Sequence, residues 1–513
     1  MKMKKITYQE TIDKICLFTI IICTIIISIL IIGSRLCPND VCLFRTNPHV
    51  EKFSWGDRTV NANDNAFILD FDRPVSQESV EDNLEIEPPL PGRISWAGKR
   101  LVYTLNNVIP YGRNYRLSLK SAREKFRGKE ELGAEIEPFI GQFQSRDKAF
   151  AYVGSQGEEA GRLILNNTTK ENQTILTPAN LVVSDFKFSP NTEKIIFSAS
   201  EKETNQEGVR DLSIYEVTTG LSNDSTTKIP GQLKTILGQD EYLNNRFDLA
   251  GENGDIIIVQ RIRKDDPTDF DLWKIEEGKI PQALNADGGN FIITPDKSAI
   301  AIAQGEGISI IPLQKQEQEQ ENDSLNFLPQ YGQVLTFTRD GTGAAMVNFN
   351  TDNPDLRYTR SLFYVNNQGL EKELVTIEGS IVDCKFSPNG NNLFCLLTEL
   401  METENQFQEK PYFVGIDIES QKVIPLLALP HYQDIKISIS PDGSGILFDQ
   451  LVTESNLREN TPIENMPAQE LFSDSAELIL DSRLWILNLP SPESPQASLQ
   501  ELPIAGFKPQ WSP

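Results

Sequence analysis

After residue 148 the apolar positions fall into a recurring two-part pattern: an alternating stretch, a tight turn, then a denser apolar run. The clearest copy is IVDCKFSPNGNNLFCLL, from Ile381. Others are VVSDFKFSPNTEKIIFSAS from Val182, GNFIITPDKSAIAIAQ from Gly289, QVLTFTRDGTGAAMVNF from Gln333 and DIKISISPDGSGILFDQ from Asp434. The alternation predicts a half-buried strand and the dense run a well-buried one. In the Ser-Pro-Asp/Asn-Gly turn, proline presets φ at the second position and Asp or Asn tolerates the third. Glycine takes the left-handed conformation that closes a bulged hairpin. Aligned on that turn, the copies share an apolar column: Phe188, Ile293, Phe337, Phe386, Ile439 and Trp511. One hairpin cannot bury this surface alone, so the copies must stack.

A third strand in each unit ends in a shared pattern, LSIYEV, DLWKI, SLFYVNN and RLWILNL, and a weaker copy, NNRFDLAGENGDIIIVQ, fills the gap near Asn245. With it the repeat count is seven, at a spacing that suits propeller blades carrying insertions. The closing FKPQWSP offers Trp511 but no second strand, whereas Lys148 to Val153 reads as a second strand lacking a first. Joined, the two make one blade that latches a ring and leaves no free edge.

Upstream, the pattern predicts short alternating strands: AFILDF, NLEIEP, GRISW, RLVYTL, YRLSLK and FIGQFQS, between Asn61 and Asp147. Such spacing indicates a small antiparallel sandwich. At the amino end, Ile15 to Gly33 is apolar without a charge and follows Lys2, Lys4, Lys5 and Lys14. At a rise of ~1.5 Å per residue it is long enough for a hydrocarbon core, and its flanks predict an uncleaved signal anchor with the amino terminus cytoplasmic. A cleaved signal peptide would have a shorter apolar region and a small-residue cleavage site. The expected organisation is therefore 1–14 cytoplasmic, 15–33 transmembrane helix, 34–60 linker, 61–147 sandwich and 148–513 propeller.

Charge narrows the function. A net charge of −25 and a pI near 4.6 argue against nucleic-acid binding, which needs a basic stripe. His49 and His431 are the only histidines and lie far apart in sequence, which disfavours a His-based metal cluster or a Ser-His-Asp relay. No Gly-x-Ser-x-Gly elbow is present, nor a glycine-rich phosphate loop after a strand. Asp265, Asp266, Asp269 and Asp271 offer oxygen ligands but lack calcium-loop order and include Pro267, so no metal site is assigned. Asp442 and Asn389 are explained by hairpin closure. Cys16 and Cys23 fall in the apolar span. Cys37 and Cys42 can close a small loop in an oxidising compartment, while Cys384 and Cys395 flank one hairpin as a disulfide or as two buried thiols. Gln314 to Asn322, QKQEQEQEN, reads as a flexible tip between strands.

Two resemblances add to this reading. Phe71-Asp72-Arg73-Pro74-Val75, Trp96-Ala97-Gly98, Tyr111-Gly112, Tyr115 and Phe143 resemble the bacterial Ig-like domain of S-layer and envelope proteins. The departure is Arg123 to Gly133, and the resemblance implies a spacer or adhesion module. Phe188-Ser189-Pro190, Phe386-Ser387-Pro388-Asn389-Gly390, Ile439-Ser440-Pro441-Asp442-Gly443 and Trp511-Ser512-Pro513 resemble the TolB-type (WD40-like) β-propeller, with Thr192 and Lys297 standing where the turn glycine belongs.

The fold expected is all-β: a seven-bladed propeller plus an Ig-like sandwich, with one amino-terminal transmembrane helix. Long insertions follow the second strand of five units: Glu201–Arg210, Arg261–Phe270, Asn350–Arg360, Met401–Lys410 and Thr453–Glu477. All lie on one rim, where loops on a rigid scaffold usually carry binding. The expected function is that of a membrane-anchored, extracytoplasmic scaffold, not an enzyme, that recruits an envelope protein or cell-wall polymer without a cofactor. The alternatives are a glycan hydrolase or lyase using the propeller channel, and a purely structural envelope component.

Overall fold

A computed structural model describes residues 15–28, 47–125, 133–202, 211–221, 229–287, 289–304, 307–313, 327–328, 330–403, 406–430, 434–456, 470–490 and 496–513. The architecture is all-β. Nine four-stranded sheets are present among the described residues, two before residue 146 and seven after it.

The first two sheets face each other around one core. Ala66–Phe71 is the model of its pattern: Phe67, Leu69 and Phe71 are buried while Ala66, Ile68 and Asp70 turn toward solvent, the period of two that a half-buried strand requires. Two strands fall where a linker is expected. Val50–Phe53 pairs with Ala66–Phe71, and Thr59–Val60 runs parallel to Phe139–Ser145. Trp55, between them, packs in the sandwich core against Phe67 and Phe143. Alternation does not reveal them: Val50–Phe53 reads apolar, charged, charged, apolar, and Thr59–Val60 is too short for a period of two to repeat.

Six of the seven later sheets are meanders of consecutive strands, as in Leu181–Phe188, Lys194–Glu201, Ser213–Thr218 and Leu233–Leu237. The segments LSIYEV, DLWKI, SLFYVNN and RLWILNL all lie in third strands. The first sheet of the seven draws on both ends of the region: Gly506–Trp511 pairs antiparallel with Ala149–Gly154, Phe507 opposite Val153 and Trp511 opposite Phe150. Apolar layers join each sheet to the next and the last to the first. Phe150, Tyr152 and Trp511 of the first sheet, for example, pack with Leu447 and Leu484 of the last. This is the arrangement of a β-propeller.

The turns between first and second strands owe their shape to more than proline and glycine. In five of these turns the opening hydroxyl residue accepts from the backbone N–H five residues on: Ser189 from Lys194 at 3.2 Å, Thr338 from Gly343 at 2.9 Å, and Thr294 from Ala299, Ser387 from Asn392 and Ser440 from Gly445, each at 3.0 Å. The same hydroxyl donates to the turn Asn or Asp two residues along, as Ser387 does to Asn389 at 2.7 Å. Gly341, Gly390 and Gly443 have φ near +70°, and Thr192 and Lys297 adopt the same left-handed region without glycine's freedom.

Two expectations are corrected. The amino-terminal helix is described only over residues 15–28, about 21 Å at 1.5 Å per residue and short of the ~30 Å hydrocarbon core. Among the described residues no helix is long and apolar enough to cross a membrane. The single-pass transmembrane span at 15–33, and the localisation built on it, are not upheld; residues 1–14 and 29–33 lie outside the described residues. Second, Met401–Lys410 is not a plain insertion loop, because Asn392–Thr403 and Gln406–Asp417 continue as paired strands, Leu400 opposite Glu409.

Cys384 and Cys395 sit directly opposite each other on neighbouring strands and form a disulfide, buried in the layer between the fifth and sixth propeller sheets. Cys37, Cys42, His431 and the Gln314 to Asn322 tract lie outside the described residues.

Candidate functional site

In a meander blade the turn after the first strand and the loop after the third share one face, and the remaining connections share the other. The sandwich occupies the first of these. The Tyr111 N–H donates to Asp442 Oδ2 at 3.3 Å, and Lys148 Nζ lies 3.7 Å from the same carboxylate. Arg339, in another turn, donates to the Ala62 carbonyl at 2.9 Å, and Arg146 donates to the Pro513 carbonyl at 2.9 Å. Burial alone would raise the Asp442 pKa, but Lys148 and hydrogen bonds from Ser444 and Ser440 hold it below its ordinary value. Asp442 therefore does two jobs: it closes its hairpin and it pins the sandwich to the propeller.

The opposite face carries the insertions. It belongs to a strongly acidic region, since residues 148–513 hold 54 Asp and Glu against 28 Lys and Arg. The loop Asn350–Arg360 presents Leu356 and a 76% exposed Tyr358, with Asp352 and Asp355 balanced by Arg360 and by Arg357, whose guanidinium lies 5.8 Å from the Tyr358 ring centre. The insertion Thr453–Glu477 behaves differently. Residues 457–469 lie outside the described residues, but Leu471 is buried among Val182, Val183 and Ile479, joining the last sheet to the second. Asp474 receives Lys436 Nζ at 2.7 Å, from just before the innermost strand Ile437–Ile439 of the last sheet, and Lys508 Nζ at 2.6 Å, from the innermost strand of the first. Lys508 Nζ also donates to the Ser184 carbonyl at 2.6 Å. Burial would raise the Asp474 pKa, but the two ammonium groups outweigh it and hold the carboxylate well below its usual range.

Beneath this bridge Asp449 is 1% exposed and accepts from the Lys436 N–H at 2.6 Å and the Lys508 N–H at 2.7 Å. Burial pushes its pKa up to about 6 against those donors and the two nearby lysines. A carboxylate with a raised pKa near the axis is the feature expected of an acid–base site. Asp449, however, is sealed beneath backbone and cannot touch a ligand; its geometry is that of a clasp between strands.

The acidic cluster at 265–271 is already engaged. Asp265 pairs with Arg263 at 2.8 Å, Asp266 accepts from both Thr268 donors, and Asp271 takes the N–H groups of Asn285 and Ala286. Among the described residues no group of three or more His, Cys, Asp and Glu is placed to hold a metal ion. His49 lies in the sandwich, 3.7 Å from Asp72. Sequence reasoning missed the turn hydroxyls, although Ser or Thr precedes the turn in every copy but the weak one near Asn245, where Ala250 stands. It also missed Asp449 and Asp474, for which no local signal exists.

No family model matches the chain, and no curated protein matches it in sequence. Solved structures do match. The crystal structure of TolB from Acinetobacter baumannii aligns at 13% identity over 71% of this chain and 67% of that one, with a TM-score of 0.38. Pseudomonas aeruginosa periplasmic gluconolactonase aligns at 12% identity over 72% and 99%, TM-score 0.40. An oligogalacturonate lyase in complex with manganese aligns at 12% identity over 56% and 79%, TM-score 0.40. The class is that of β-propeller proteins, whose functions vary. Two of these neighbours bear enzyme names, so the expectation that the chain is not an enzyme does not stand. At these TM-scores the likenesses carry no argument about what this chain does.

Proposed function

We propose that the chain is a seven-bladed propeller, closed by strands from both ends of its region, and that an Ig-like sandwich carries it as a binding scaffold. The partner is a protein that docks on the insertion face. The observation that supports this reading is the placement of the sandwich: by covering the turn face through Asp442, Arg339 and Arg146, it leaves the insertion face to meet other molecules. That face combines acidic loops with an exposed aromatic, Tyr358, the residue type enriched at the centre of interfaces. The insertions taken together carry more acidic than basic residues, although Asn350–Arg360 itself is balanced, which favours a partner with a basic docking surface and association that slows as salt rises.

A photo-crosslinking residue placed at Tyr358, and another at Thr169 on the covered face, tests the reading in the intact protein. Crosslinks to a partner are expected from position 358 and lost on Asp352→Lys/Asp355→Lys, with the melting temperature unchanged. Crosslinks from position 169 alone, or partner binding indifferent to the charge reversals, would refute it. Deleting Thr453–Glu477 is not a clean test, because Leu471 and Asp474 belong to the packing at the axis.

A further inference from the structure

Arg261, in the second strand of the third propeller sheet, is 8% exposed and enters no ion pair among the described residues. The cations beside it do: Arg263 pairs with Asp265 and Asp269, and Lys264 pairs with Asp211. Asp271 stands directly opposite Arg261 in the ladder, yet its carboxylate is turned to the N–H groups of Asn285 and Ala286, with both oxygens used. The guanidinium is held in place instead by a hydrogen bond and by rings. Its Nε donates to Asn244 Oδ1 at 3.2 Å, and its carbon lies 4.0 Å from the Tyr242 ring centre and 5.0 Å from that of Trp273. The two rings meet edge to face at 5.4 Å. Asn244 is itself fixed, because its amide donates to the carbonyls of Leu212 and Gly238.

Positioning of this kind uses one donor of the guanidinium and leaves four without a partner. Those terminal groups are not sealed, since they are absent from the buried atoms that lack a partner. The surrounding layer is short of acceptors. The Trp273 indole N–H is buried without one. In the sheet opposite, the Ser198 hydroxyl is also buried without a partner, on the strand face it shares with Ile196 and Ile214. Burying a guanidinium with no anion costs free energy that stacking on aromatics only partly offsets. A planar fork held rigid by Asn244 and two rings is complementary to a planar carboxylate, which accepts two parallel N–H bonds from it.

We propose that Arg261 is the anchor of a carboxylate-binding site between the second and third propeller sheets, at their insertion-side end. Asn244, Tyr242 and Trp273 hold the fork for a ligand carboxylate. The site does not depend on the docking face proposed above.

Trp273 serves as the reporter. Titrating the full chain with sodium acetate at constant ionic strength should change the indole emission saturably, and Trp273→Phe should abolish that change. Arg261→Lys keeps the charge but not the fork, and should weaken acetate binding at least about tenfold. If that variant does not fold, acetate protection of Arg261 from phenylglyoxal in the wild-type chain, read by mass spectrometry, replaces it. A peptide ending in a free carboxylate that binds more tightly than acetate would place the ligand on a partner chain, and equal binding would indicate a small free acid. Inorganic phosphate saturating the signal where acetate does not would overturn the carboxylate assignment. Undiminished acetate binding by Arg261→Lys, or no saturable change and no protection in the wild type, would overturn the site.

Discussion

Replacing Asp449 with Asn tests whether a buried carboxylate clasps the innermost strands of the last and first propeller sheets. The side chain is 1% exposed and accepts backbone N–H groups at 2.6 and 2.7 Å from Lys436 and Lys508. An amide has one acceptor oxygen, so one of those N–H groups would face an NH2 group instead, at a cost of roughly 1–3 kcal/mol. The wild-type residue carries its own cost. Burial pushes its pKa up to about 6 from the ordinary 3.8 of an aspartate, so its charged form is disfavoured on folding by about 3 kcal/mol.

Because the folded-state value is the higher one, this group's contribution is fully present below the unfolded pKa and is lost as pH rises through 6. Of the about 3 kcal/mol, roughly 2 kcal/mol falls between pH 4.5 and 7.5. Asp474 shifts in the opposite sense, but in this window it stays ionised in the folded state. Urea unfolding of both proteins at pH 4.5, 6 and 7.5 is the assay. Wild type should exceed Asp449→Asn in stability at pH 4.5, and the gap should shrink by about 2 kcal/mol by pH 7.5. A gap that is flat, or that widens toward pH 7.5, would show that the carboxylate is not confined as its burial implies.

Three further outcomes follow from the geometry. Ser387→Ala removes the acceptor for the Asn392 N–H and should lower stability by about 1–3 kcal/mol in urea unfolding, without altering far-UV circular dichroism. Asp442→Ala should loosen the sandwich from the propeller, so that limited proteolysis cuts faster around residues 146–148, and should also cost the propeller about 1–3 kcal/mol in urea unfolding, because the same carboxylate closes its hairpin. Reducing the Cys384–Cys395 bond frees a short loop of the unfolded chain. That should cost roughly 2–3 kcal/mol, read as the difference between urea midpoints with and without dithiothreitol.

The amino-acid pattern by itself determined the local units. Ser-Pro-Asp/Asn-Gly between an alternating run and a dense apolar run encodes a hairpin, because proline, the turn carboxamide or carboxylate, and glycine each satisfy one backbone requirement. The seven-fold recurrence encodes stacking, because no single hairpin buries its own apolar face. Even the pairing of Gly506–Trp511 with Ala149–Gly154 was legible, as half a repeat at each end of the region. The strands Val50–Phe53 and Thr59–Val60 were not, the first because it does not alternate and the second because two residues cannot repeat a period of two. Of the apolar run at 15–33 only residues 15–28 are described, as a helix that is not long enough to cross a membrane.

Only the tertiary structure decided which charges meet. Lys436, Asp449, Asp474 and Lys508 span 73 positions of chain, and Asp442 finds Tyr111 across 331. Nothing local marks these residues, because desolvation and Coulomb energy depend on distance in space. The same holds for Arg261: in the sequence it is one basic residue among three in QRIRK, and the fold alone leaves it outside the ion pairs its neighbours make and sets it against Tyr242 and Trp273.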